Sequence, residues 1–137
     1  MRAEPGHDGN RAVNAGMLEA ILVYVTCPDA AVAESIGRTA VDERLAACAN
    51  LLPGMRSIYR WQGRVESAEE IVLILKSTRD CWIALEGRVR ALHPYTVPCI
   101  VALPITAGSA PFLAWIEAET GPALAPAGVV QSSKIVN

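Results

Sequence analysis

Among the four cysteines and two histidines of this 137-residue chain, Cys27, His93 and Cys99 are the three whose places along the sequence could gather donors for a soft metal ion. Thiolate and imidazole donors favour copper(I) or zinc over magnesium or calcium, which prefer oxygen. Cys27 ends one apolar stretch and Cys99 opens another. In the strand order argued below these two strands are antiparallel neighbours, which sets Cys27 near Cys99, with His93 just before the same strand. The bland readings stand beside this one. A reduced cysteine is often a small buried hydrophobe, and a histidine at a helix C-terminus before a proline often only caps the helix. The four cysteines, Cys27, Cys48, Cys81 and Cys99, form no Cys-x-x-Cys pair, so a closed structural zinc site is not expected. Cys48 and Cys81 are read as core residues.

A second group lies along a predicted hairpin: Tyr59, Trp61, Glu70 and Lys76. Trp61, just before the turn, is read as an exposed aromatic that packs across strands or between subunits. Glu70 and Lys76 share a sheet face but lie about 20 Å apart on a straight strand, so they pair only between subunits or through another residue. Lys76 also offers an ammonium to an anionic ligand. Asp42, Glu43 and Arg44 read as a solvated helix face.

Positioning these residues requires a folded core. The chain is 52% hydrophobic and 19% charged, with 12 basic and 14 acidic residues and a formal net charge of -2. That composition fits one compact domain with no metal or disulfide staple. It provides no broad positive field, so neither nucleic acid nor an acidic membrane is an expected partner. The longest apolar run, Ala20 to Val25, is too short to span a bilayer, and no signal-peptide pattern precedes it. A cytoplasmic location is expected. Residues 1–16 read as a disordered leader, 17–121 as the functional domain and 122–137 as a flexible tail.

The element pattern is strand (Glu19 to Thr26), helix (Pro28 to Ala47), strand (Cys48 to Gln62, bent at Pro53-Gly54), tight turn at Gln62-Gly63, and strand (around Ile71 to Leu75). A second helix (Thr78 to His93), a last strand (Val97 to Leu103) and a short helix (Pro111 to Thr120) follow. This is the split βαβ order of a ferredoxin-like α+β sandwich with an antiparallel sheet and a short C-terminal helix. Right-handed crossovers put both long helices on one face. Five branched apolar residues in succession, Ile71 to Leu75, then need cover on the other face as well. A further copy of the chain supplies that cover, and the terminal helix is the other element able to do so. A homo-oligomer is expected.

Several segments taken together, Leu45-Ala46-Ala47-Cys48-Ala49-Asn50, Ser57-Ile58-Tyr59-Arg60-Trp61-Gln62-Gly63, Glu70, Leu75-Lys76-Ser77, His93-Pro94-Tyr95, Pro98, Leu103-Pro104 and Trp115-Ile116, resemble the CutA family of divalent-cation tolerance proteins. The match runs in order from the first strand to Trp115. The resemblance implies a homotrimer that binds metal ions such as copper, with no required cofactor and no enzymatic reaction. The functional reading of His93 is that it lines a cleft at the subunit boundary, with Tyr59, Trp61, Glu70, Lys76 and Tyr95 as the ligand-cleft residues, the first four of them matching the family's pattern, and Trp115 is read as packing onto the trimer edge. The residue after Pro98 is commonly glutamate in that family, whereas this chain has Cys99, a soft donor in place of a hard one.

Two functions from different classes follow: a metal-binding tolerance protein, and a non-catalytic scaffold or signalling module like the PII proteins that takes a small anionic ligand or a protein partner. Acylphosphatases share the fold, but here Cys27-Pro28-Asp29 follows the first strand, where those enzymes carry a phosphate-cradling loop with an arginine.

Overall fold

Alternation along the first strand, β1 (Ala20–Cys27), decides the architecture of this computed structural model, which describes residues 19–122. Ile21, Val23, Val25 and Cys27 point into the core at 3% exposure or less, and Leu22, Tyr24 and Thr26 face the other side. The expected leader, and the tail from residue 123 on, lie outside the described residues.

Helix α1 (Ala30–Asp42) starts where Asp29 accepts the Val32 amide at 2.9 Å, and it buries Ala33, Ile36, Gly37 and Ala40 against the sheet. It stops five residues short of the expected Ala47. Arg44 takes a left-handed conformation (φ 60°), the Arg44 amide donates to the Val41 carbonyl, and that of Leu45 to the Ala40 carbonyl. This pair of bonds closes a helix end of the Schellman type, here with arginine where glycine is usual. By Ala47 the backbone already bonds to Lys76 of the sheet, at 2.8 Å.

Strands β2 (Cys48–Trp61) and β3 (Arg64–Thr78) form a long antiparallel hairpin. Its turn residues Gln62 and Gly63 both have positive φ, 52° and 79°, the geometry that matches strand twist in two-residue turns. The register slips between Leu52 and Met55, where Pro53-Gly54 forms the expected irregularity without ending the strand. A single 3-10 turn (Arg79–Cys81) leads into α2 (Trp82–Leu92), which buries Leu85 and Val89. Strand β4 is Ile100–Pro104 and helix α3 is Ala110–Ala118. β4 thus begins three residues later than expected, which leaves residues 93–99 as a loop at the end of β1.

The sheet order is β2-β3-β1-β4, with every neighbouring pair antiparallel, as the split βαβ order requires. Both long helices pack on the Val23, Val25, Leu73 and Leu75 side. The opposite face presents Leu22 and Tyr24 beside Ile74, Val101 and Leu103. Leu52, Val101 and Leu103 stay about half exposed there. Helix α3 covers only one end of this face, where Ile116 packs with Ala20 and Ala47. Cys81 is buried as expected, whereas Cys48 is only half-buried: it pairs with Lys76 in the ladder and so belongs to the side away from the two long helices.

Candidate functional site

Three segments meet at the open end of the sheet: the close of β1, the base of the hairpin arm and the loop 93–99. They enclose a cleft of about 650 Å³. Glu70 sits in its wall, opposite Met55 just beyond the register slip. Although charged, Glu70 is only 8% exposed. Its Oε1 accepts the Ser57 hydroxyl at 2.6 Å and its Oε2 accepts the Tyr95 hydroxyl at 2.8 Å. Charged acceptors make the stronger class of hydrogen bond, and these two offset the cost of burial. Among the described residues no lysine, arginine or histidine lines the cleft, and Glu70 is the one formally charged wall residue.

The neighbours respond to that carboxylate. Burial, then the hydrogen bond and charge of Glu70, push the Tyr95 phenol up to about 12. Cys99 borders the same cleft. Burial, followed by the charge of Glu70, raises its thiol above the ordinary value, while a hydrogen bond with Thr26 acts in the opposite sense.

Of the residues marked in the sequence, Tyr59, Trp61, Glu70, Tyr95 and Cys99 come together here. The others do not. His93 is 7% exposed, and both its ring nitrogens are used internally. Nε2 lies 2.8 Å from the Thr26 carbonyl, which only accepts, so Nε2 carries the proton and donates. Nδ1 accepts the Tyr95 amide at 3.2 Å. The imidazole is therefore a joint that fixes the loop, with no lone pair left over for a metal. Cys27 is fully buried, and burial followed by the charges of Glu70 and Asp29 pushes its thiol to about 11. Extending the β1–β4 register by one places Cys99 opposite Thr26, on the face away from Cys27. The expected trio of Cys27, His93 and Cys99 is thus not gathered, and no group of three or more His, Cys, Asp or Glu among the described residues is placed to hold a metal ion.

Lys76 lies at the far end of β3, its Nζ 5.4 Å from the centre of the Phe112 ring, outside the cleft. Trp115 stacks near Phe112 at 5.6 Å in the small cluster around Ile116. Ser57 and Thr26 contribute to the site but were not singled out in the sequence. Counting back from the Gln62-Gly63 turn finds Ser57: equal steps put residue 55 opposite Glu70, and residue 57 is then its diagonal neighbour on the same face.

A family model described as "CutA1 divalent ion tolerance protein" matches residues 21–119, the whole hairpin and the cleft included. The chain belongs to the CutA1 family. The divalent-cation tolerance protein CutA of Thermus thermophilus is 50% identical over 100 residues, covering 73% of this chain and 97% of that protein. A solved structure of the Thermus thermophilus divalent cation tolerance protein superposes with a TM-score of 0.73 at 49% identity, over 74% of this chain and 99% of that one. A longer Arabidopsis thaliana relative, named as a chloroplastic CutA, is 42% identical over 100 residues, 73% of this chain and 55% of its own length. The CutA1 description is of tolerance to divalent ions and names no reaction.

Proposed function

We propose that this CutA1 protein serves cation tolerance as a cytoplasmic homotrimer that binds a soft metal ion such as copper or zinc, without catalysing a reaction. The observation that carries the reading is a single buried carboxylate, Glu70, in a cleft that holds no positive side chain and has the Cys99 thiol at its border. The two hydroxyl bonds leave lone pairs on Glu70 free, since a carboxylate has about four acceptor positions. Glu70 and Cys99 are this chain's own donors, and a neighbouring protomer completes the set. The half-exposed apolar sheet face supports assembly, because a patch of Leu52, Val101 and Leu103 beside a solvent-facing strand is stabilised by a second copy. An anionic ligand fits this cleft poorly: Lys76 is turned to Phe112, and no cationic group among the described residues lines the wall.

Native mass spectrometry on protein purified without added metal, then exposed to Cu(I), Zn and Mg in turn, tests the reading. The expected result is a trimer holding three soft ions, no magnesium, and no soft ion in Cys99→Ser. A trimer that keeps no copper or zinc, or a monomer at micromolar concentration, refutes it.

A further inference from the structure

The cleft has a feature that metal coordination leaves unused. Beside Glu70 its wall is built from Tyr59, Trp61 and Tyr95. In the single protomer Tyr59 and Trp61 are 41% and 48% exposed, aromatic surface presented along a hairpin arm. Aromatic faces attract cations through the ring quadrupole, tryptophan most strongly, and do so best where water is thinned out.

We propose that the cleft binds a small organic ammonium ion, seated on the Trp61, Tyr59 and Tyr95 rings with its charge directed to Glu70. The proposal rests on the reading above that this cleft takes cations, and it extends that reading to a second chemical class.

Four observations support it. Charge complementarity comes first: one buried carboxylate, with no positive wall residue among the described residues, gives the cleft a single sign. In a site with low-dielectric walls such a charge acts at several ångströms, without direct ligation. Second, each oxygen of Glu70 already accepts a hydroxyl. Magnesium needs six oxygen ligands at close range, whereas an alkylammonium spreads its charge over a methyl or methylene shell and needs only a nearby carboxylate. Third, the Tyr95 hydroxyl donates to Glu70, which shifts electron density into its ring and strengthens that ring as a cation acceptor. Fourth, Ile58 and Val97 add apolar wall for an alkyl shell, and about 650 Å³ lies within the range of small-molecule sites.

Calorimetry on the intact oligomer, with tetramethylammonium chloride as probe and sodium chloride at equal ionic strength as reference, tests this. The wild type is expected to bind tetramethylammonium and to ignore tert-butyl alcohol, a neutral molecule of similar shape. Trp61→Leu is expected to weaken tetramethylammonium binding about tenfold while leaving zinc binding intact. Cys99→Ser is expected to do the reverse, so the two readings fail separately. Glu70→Gln is expected to abolish both, and Tyr59→Leu repeats the ammonium test at an exposed position where folding is not at stake. Equal binding of the alcohol and the cation, or unchanged affinity in both Trp61→Leu and Tyr59→Leu, overturns the proposal. Tighter binding of a peptide bearing trimethyl-lysine than of tetramethylammonium overturns the assignment to a small molecule.

Discussion

Replacing Tyr95 by phenylalanine deletes one hydroxyl and keeps the ring, so it isolates the 2.8 Å bond to Glu70 Oε2. A hydrogen bond to a charged acceptor contributes about 1.5–3 kcal/mol. Glu70 is 8% exposed but Tyr95 is 38% exposed, so water entering on the phenol side replaces part of what is lost. The expected cost of Tyr95→Phe is therefore at the low end, about 1.5 kcal/mol. Urea unfolding at one fixed protomer concentration measures it, since the stability of an assembly depends on concentration. The decisive control is the cycle with Glu70→Gln. In that background the acceptor is neutral, and the same deletion should cost only about 0.5 kcal/mol, a coupling of roughly 1 kcal/mol. The phenol titration gives a second readout. In Glu70→Gln the Tyr95 value should fall from about 12 but stop short of the ordinary 10, because burial is the larger cause and remains. A coupling indistinguishable from zero, with an unmoved phenol, would show that water and not Tyr95 holds the carboxylate.

Three further outcomes are expected. In Gly37→Ala the new Cβ would lie 3.0 Å from the Ala49 Cβ; the helix gains about 1 kcal/mol in propensity but overpacking costs about 1–3 kcal/mol, so denaturation should show a small net loss, restored by adding Ala49→Gly. Arg44 bonds the carbonyls of Gly121 at 2.7 Å and Ala118 at 2.8 Å, capping α3, while its own φ is positive. Arg44→Ala should cost about 2 kcal/mol and Arg44→Gly about 1 kcal/mol less than that, as read by chemical unfolding; equal losses would rule out backbone strain there. Burial first, then the charges of Glu70 and Asp29, push the Cys27 thiol from the ordinary 9 up to about 11 in the fold. Its stabilising contribution is thus complete below pH 9 and lost as pH rises through 11, because the unfolded chain releases the proton first. Unfolding free energy should decline over that window, and the decline should be shallower in Cys27→Ala.

The fold was legible because its signals are local. The Gln62-Gly63 turn and the order of strands and helices follow from residue types within a few positions of one another, and the structure has both. Boundaries failed where tertiary bonding overrode periodicity. Leu45 continues the helical spacing of α1, yet its amide turns back to Ala40 and the next residues join the sheet. Val97 looks like strand, but residues 93–99 are held by His93 and Tyr95 instead of by the ladder. At the site, the pairing of Cys27 with Cys99 was drawn from strand adjacency alone. Adjacency fixes distance along the sheet but not the face, and a one-residue register difference sends the two thiols to opposite sides.

The His93 ring is engaged in hydrogen bonds within the fold. From the end of β1 a continuous chain of bonds runs through the Thr26 carbonyl, the His93 ring, the Tyr95 amide and hydroxyl, and Glu70 to Ser57 on the hairpin. Each link fixes the next: the carbonyl sets the tautomer, the tautomer frees Nδ1 to hold the Tyr95 backbone, and the held backbone places the phenol on the carboxylate. His93 can thus serve the proposed cation site without ligating the ion. Its work is to keep a buried negative charge facing an open cleft, and a His93→Gln variant, whose side-chain oxygen can still accept an amide, should retain more cation affinity than His93→Leu. Calorimetry with zinc separates these cases, and equal loss in both variants would mean that His93 acts as a ligand after all.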